Sequence, residues 1–444
     1  MANPTAAQKP ADATKPLTLS PRVVAPTAVA SYLDEPNAGR RILARCDELG
    51  AISAPSEGVT RLYLTREHRE AAETILRWMT EAGMAARIDE VGNVIGRYEG
   101  SEPAPYLIVG SHMDSVVNAG KYDGPLGVLT ALDCVAVLNA RGHRLPFGVE
   151  VVAFGDEEGI RFRSTLAGSR AVTGRYGDDL RRAVDGDGIA MMKALADFGL
   201  DPDRIGLAAH DPAEVAGYVE LHIEQGPVLE AMDAPVGVVT AISGQSRSVV
   251  RLLSAPNHAG TVPMDMRKDP LMAASEIALT AERIAKEHEA TVATVGFIEA
   301  KPGVINVIPG EVSLTIDLRS QQDSVREAAY AALKSAIGEI ARRRGVGVEI
   351  ELILDLKSCP CAPAFIDQIK SAVQAVGVPP ICLPSGAGHD GMAMSEITEI
   401  GMIFVRCKGG ISHSPEESVT EDDVTKGAAV LLSFIENFRG NANK

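Results

Sequence analysis

The sequence predicts an α/β protein of two domains: a mostly parallel α/β domain interrupted by an inserted, ferredoxin-like α+β domain. Three observations predict it. The chain has 444 residues, more than one ordinary core accommodates. Through its first part, short β-branched runs alternate with amphipathic stretches, the pattern of a parallel sheet wound with helices. Near residue 244 the pattern changes to strand, helix, two strands, helix, strand, a ferredoxin-like order.

The elements follow in order. Residues 1–25 are rich in Ala, Pro, Thr and Lys and lack an apolar h-region. They read as a disordered tail rather than a signal peptide. Residues 29–49 have helical spacing, and 65–82 form an amphipathic helix ended by Gly83. Strands are expected at 106–110 and 149–154, flanking a helix in 124–140. After the change, a strand begins at Ser248, a helix covers 270–288, and strands lie at 291–299 and 311–318. A helix at 322–344 and a strand at 348–354 complete the insert. The first domain is therefore 26–243 plus 357–440, and the insert is 244–356.

Composition excludes several classes. The formal net charge is −16, which argues against nucleic acid, whose phosphates need a basic face. No run reaches eighteen apolar residues, so no membrane span is expected. The six cysteines stand at 46, 134, 359, 361, 382 and 407, without zinc-ribbon spacing. They read as thiols of a reduced, cytoplasmic protein.

The chemistry concentrates where apolar runs stop. Residues 107–124, LIVGSHMDSVVNAGKYDG, end a strand at His112, with Asp114 and Asp123 after it. Imidazole and carboxylate are ligands for zinc or manganese. Asp114, two residues on, points the same way and is placed to fix the His112 ring. VEVVAFGDEEG at 149–159 stops in three acids, YVELHIEQGP at 218–227 delivers His222, and GGISHSPEE at 409–417 delivers His413. Each motif alone is commonly a structural or solvated feature. Four strand-to-loop transitions carrying ligand-type residues point to one shared site, at the edge where open α/β sheets build theirs. Two divalent ions need a shared carboxylate, and Asp123 is the candidate bridge. The inferred first site is His112, Asp123 and His222, and the second is Asp123, Glu158 and His413. Glu157 is left as the general base.

These motifs, with FGDEEGIRF, PNHAGTVPMDMRKDP, NVIPG, IDLRS, SGAGHDGMAM and VRCKGGISHSPEE, resemble the amidase/hydantoinase/carbamoylase branch of the co-catalytic metallo-aminoacylase and carboxypeptidase superfamily. The resemblance runs from about residue 40 to the C-terminus. It implies a catalytic domain with two divalent ions, Zn²⁺ or Mn²⁺, and an inserted lid through which homodimers form. Within the branch the wording is most similar to allantoate amidohydrolases. That implies a small ureido carboxylate as substrate, with N-carbamoyl-L-amino acids or β-ureidopropionate as the alternative.

The resemblance also gives roles to polar residues that would otherwise read as ordinary surface. It implies that Arg319 holds the substrate carboxylate, suited by its planar fork. His258 and Asn306 are implied as donors to the developing oxyanion and the ureido group, at least one of them from a neighbouring subunit. Gln225 and the Gly388-His389 turn would complete the pocket. A cis peptide is expected at Asp123-Gly124.

Overall fold

The computed structural model describes residues 37–440. The tail reading at 1–25 and the start of the helix read at 29–49 lie outside the described residues. In chain order the strands are β1 (Ala85–Ile88), β2 (Val94–Tyr98), β3 (Tyr106–His112), β4 (Val149–Phe154), β5 (Val215–Ile223), β6 (Val236–Ile242), β7 (Gly244–Leu253), β8 (Asn257–His258), β9 (Thr291–Lys301), β10 (Val307–Ile308), β11 (Glu311–Ser320), β12 (Gly347–Leu356), β13 (Cys359–Pro360), β14 (Cys382–Ser385) and β15 (Ile400–Val405).

The large sheet has nine strands in the order β1-β2-β4-β3-β5-β15-β6-β13, with β14 beside β6. Its centre is parallel: β3 runs with both β4 and β5, and β15 runs with β5. Central parallel strands are covered on both faces, so they read as unbroken apolar runs. β4 is buried throughout, and β3 is buried from Leu107 onward. Helix Pro125–Ala140 is correspondingly apolar nearly all round. It packs with helices Ala38–Gly50 and Glu421–Asn437 over one face.

The second sheet has four strands, β12-β7-β11-β9, all antiparallel. Helices Pro270–Glu287 and Asp323–Arg344 cover one face of it. On β11 the alternation is strict: Val312, Leu314, Ile316 and Leu318 are buried, while Ser313, Thr315, Asp317 and Arg319 face the open side. That period of two delivers Arg319 to the uncovered surface.

Residues 160–214 contribute short helices with their own small core, around Phe162, Leu195 and Phe198. This segment has too short a period to have been read from sequence.

Candidate metal centre

The C-terminal edge of the parallel centre is level. His112 on β3 sits opposite Phe154 of β4, and His222 on β5 sits opposite Phe404 of β15. Val109 pairs with Val219, three residues before each histidine, so both imidazoles leave the sheet at one height.

Asp123, His112 and His222 converge. Asp123 Oδ1 is 3.1 Å from His222 Nε2 and 3.5 Å from His112 Nε2, and the two Nε2 atoms are 3.4 Å apart. Each Nδ1 faces a backbone carbonyl, Asp114 O at 3.1 Å and Ile223 O at 2.9 Å. With Nδ1 donating, both Nε2 lone pairs are aimed at one another and at a carboxylate. Such an arrangement suits a cation at its centre. Ligands at about 2.0–2.1 Å in a tetrahedron stand roughly 3.3–3.4 Å apart, which is the spacing seen.

The other oxygen of Asp123 faces a second group. Oδ2 is 3.3 Å from His413 Nε2, which is 3.6 Å from Glu158 Oε1. The ligand atoms of Asp123, Glu158 and His413 lie within 4.8 Å of one another, as do those of the first trio. One carboxylate thus serves two triads with separate oxygens, as a bridge between two ions does. The donor set therefore fits the ions the sequence implied.

Electrostatics agree. Burial alone would raise the Asp123 carboxyl, but the three imidazoles drawn to it hold it well below the usual range. Burial would lower His112 and His222, yet Asp114 and Asp123 beside His112, and Asp123 beside His222, raise both. A divalent cation competes for those same lone pairs, so ion binding releases protons and depends on pH. Burial pushes Glu157 well above the carboxylate range and Glu158 to about 7, each crowded by other acids. Nearby cations reverse that crowding.

Asp114 stands beside His112, as the sequence expectation had it, and does more. Its backbone carbonyl, at 3.1 Å, holds the His112 ring, and its carboxylate is 3.5 Å from Nδ1. The carboxylate also accepts from the backbone N–H of Glu157 at 3.1 Å and of Glu158 at 3.3 Å. One residue thereby fixes a ligand and both glutamates. Asp156 just before them has φ 61°, the left-handed kink that turns the chain out of β4.

The peptide expected to be cis at Asp123-Gly124 is trans. Among the described residues the one cis bond is Lys301-Pro302. Gly124 makes the turn instead, at φ 83° and ψ −62°. A Cβ there would lie 2.4 Å from His112 Cε1.

A cavity of about 930 Å³ opens beside the centre, lined by Gln225, Ser412 and His413 on one side and by His288, Val292 and Arg319 on the other. Gln225 donates to Asp123 Oδ2 at 2.8 Å. Arg319 spends Nε and Nη2 on Asp317, both at 2.9 Å, and Nη1 donates to Gly386 O at 2.6 Å. These bonds use three of its five N–H donors, leaving two for a carboxylate.

Four expected pocket residues do not line this cavity. His389 is buried behind His222, ring centroids 4.6 Å apart, with Nε2 2.7 Å from Ser385 Oγ. The cavity wall from that turn is Gly386 and Ala387, not Gly388 or His389. His258 and Asn306 are exposed on the β8–β10 edge, where His258 pairs with Val307 and Asn306 O accepts from Ala259 N. Neither lines the cavity.

Sequence reasoning missed Glu417 and Arg61. Buried Glu417, its carboxyl raised to about 7 by burial and by Asp123, accepts from the Tyr122 and Asp123 N–H groups. Its signal was present, four residues after His413 in GGISHSPEE. Buried Arg61 donates to Met113 O at 2.7 Å and to Leu49 O and Ile52 O. No motif marks it.

The fold and centre define a two-domain α/β protein with histidines and carboxylates that could hold metal ions on one sheet edge. Residues 108–437 match the model of peptidase family M20/M25/M40, and the chain belongs to that family. It is 43% identical over 399 residues to an N-carbamoyl-L-amino acid amidohydrolase of Geobacillus stearothermophilus, covering 89% of this chain and 98% of the relative. It is 40% identical over 431 residues to an allantoate deiminase of Arabidopsis thaliana, covering 89% and 81%. A hydantoinase/carbamoylase family amidase from Burkholderia multivorans superposes with a TM-score of 0.84 at 34% identity, covering 90% of this chain and 97% of that one.

Proposed function

We propose that the chain hydrolyses the ureido C–N bond of a small carboxylate-bearing substrate, with allantoate as that substrate. The observation that carries the reading is the pairing of two ligand triads through Asp123 with an arginine across one cavity. Two divalent ions held by His112, Asp123, His222, Glu158 and His413, Zn²⁺ or Mn²⁺, would polarise the ureido oxygen and acidify the attacking water. Arg319 holds the carboxylate through the N–H donors not used on Asp317 and Gly386 O. Glu157, fixed at its backbone by Asp114, takes the proton from water as it attacks the ureido carbonyl. It then returns the proton to the leaving nitrogen. The carbamate formed decomposes to carbon dioxide and ammonia, leaving ureidoglycine. At least one of His258 and Asn306 reaches the reaction from a second subunit, with His258 donating to the tetrahedral oxyanion. The edge strand β9, paired only with β11 among the described residues and with Phe297 and Ile298 about half exposed, supports assembly through the insert.

The second ureido group of allantoate meets Gln225, Ser243, His288 and Thr291 on the cavity wall. A second reading is an N-carbamoyl-L-amino acid, favoured by Val228, Val292 and Leu383 on the same wall, which suit an alkyl side chain. A substrate panel scored by ammonia release decides. Allantoate should give the highest kcat/KM; N-carbamoyl amino acids ahead by tenfold would reverse the assignment.

The described cysteines are free thiols, all but Cys382 buried, which supports a reducing cytoplasm. Among the described residues no helix is long and apolar enough to cross a membrane.

A further inference from the structure

The ligands differ in what holds them. His112 and His222 stand on the ends of β3 and β5, inside a hydrogen-bonded ladder. Asp123, Glu158 and His413 all lie on loops beyond strand ends, and His413 sits at φ 54°. The first triad is therefore two-thirds sheet-borne, whereas the second depends on three loops meeting in register.

Glu417 is where two of those loops are tied. Its Oε1 accepts from Tyr122 N at 2.8 Å and Asp123 N at 3.1 Å. Its Oε2 is 3.1 Å from Ser412 Oγ, and that hydroxyl also reaches Asp123 Oδ2 at 2.5 Å. One carboxylate thus grips the backbone of the bridging residue, and the single Ser412 hydroxyl proton lies between it and that residue's side chain. Glu417 also belongs to the loop carrying His413, which it closes by donating its N–H to Ser414 O at 3.1 Å. The approach is tight enough that a Cβ on Gly120 would come within 2.4 Å of Glu417 Cβ.

We propose that Glu417 is a positioning residue that locks the Asp123 loop to the His413 loop and thereby sets the affinity of the second ion site selectively. This rests on the two-ion reading above. Reach, not charge, is the working property. Glutamine keeps an oxygen for both N–H groups and offers its amide to Ser412 Oγ, while aspartate keeps the charge and falls one methylene short.

The test is a stepwise titration of the metal-free full-length protein with Zn²⁺ against a competing chelator, for wild type, Glu417→Asp and Glu417→Gln. Circular dichroism of each apo form establishes folding. Glu417→Asp should leave the first step unchanged and weaken the second by about 10- to 100-fold, the usual effect of losing a residue that orients a ligand. Glu417→Gln should restore the second step. The inference is overturned if Glu417→Asp binds the second ion like wild type, if both steps weaken equally, or if Glu417→Gln fails as Glu417→Asp does. A wild-type chain taking up a single ion would instead overturn the two-ion reading itself, a result that needs no variant.

Discussion

Replacing Gly124 with alanine tests the turn on which the centre is built. At φ 83° and ψ −62° an L-residue is strained, at a cost of about 1–3 kcal/mol. The added Cβ would meet His112 Cε1 at 2.4 Å and Nδ1 at 2.5 Å. His112 is buried, with Nδ1 held by Asp114 O and Nε2 facing Asp123 and His222. It has no free space into which to turn. Restoring an ordinary 3.4 Å contact displaces the ring by about 1 Å, an error that costs on the order of 10²-fold in rate. Gly124→Ala should therefore lose about 1–3 kcal/mol in urea denaturation of the apo form, bind metal weakly, and fall at least about 10²-fold in kcat/KM. Gly142→Ala is the control: its φ is +60°, but nothing lies within 4 Å of the new Cβ. It should carry backbone strain alone and keep full turnover. Gly124→Ala with native metal content and rate would refute the argument.

Other predictions are independent of that turn. Glu157→Gln should keep metal content, measured by plasma emission, while kcat falls by about 10²–10⁴-fold; near-normal turnover would assign the base elsewhere. Arg319→Lys should lower kcat/KM more than about tenfold, because a point charge cannot hold Asp317, Gly386 O and a carboxylate together. Mixing inactive His258→Ala with inactive Glu157→Gln should recover activity through composite sites, and no recovery despite proven subunit exchange would place His258 in its own chain's site. Away from the centre, His210 Nε2 lies 2.6 Å from buried Glu150, which Arg97 also engages. Burial would lower His210, but Glu150 raises it. Burial would raise Glu150, but His210 and Arg97 lower it. The histidine's contribution is full below its ordinary 6.5 and is lost as pH rises through its raised folded value. The carboxylate's is full above 4.5 and is lost as pH falls through its lowered one. His210→Gln should thus cost about 1.5–3 kcal/mol near pH 6 and progressively less toward pH 9, measured by urea denaturation.

Much of this was legible because strands announce their ends. His112, the acids at 156–158, His222 and His413 each follow an apolar run, and parallel topology brings such ends to one edge. The second sheet and its helices were legible from their periods, since β11 alternates and helix Asp323–Arg344 does not. What failed to read depends on which loops meet. His389 occupies a polar loop yet turns inward behind His222. The Asp114 carboxylate serves, besides its neighbour His112, a loop 43 residues away. Glu417 looked like part of a ligand motif, and its partners lie 294 and 295 residues earlier. Arg61, a fully buried arginine, finds its acceptors on backbone carbonyls, which leave no mark in sequence.

The central claim is that two triads sharing Asp123 hold two ions that work together on a ureido bond. It is tested most directly by stripping the protein of metal and restoring Zn²⁺ or Mn²⁺ in steps while following ammonia release from allantoate and N-carbamoyl amino acids. The account predicts no turnover in the apo form and a rate that rises to its maximum as the second equivalent binds. Full turnover with only trace metal, or a maximum reached at one equivalent, would contradict it.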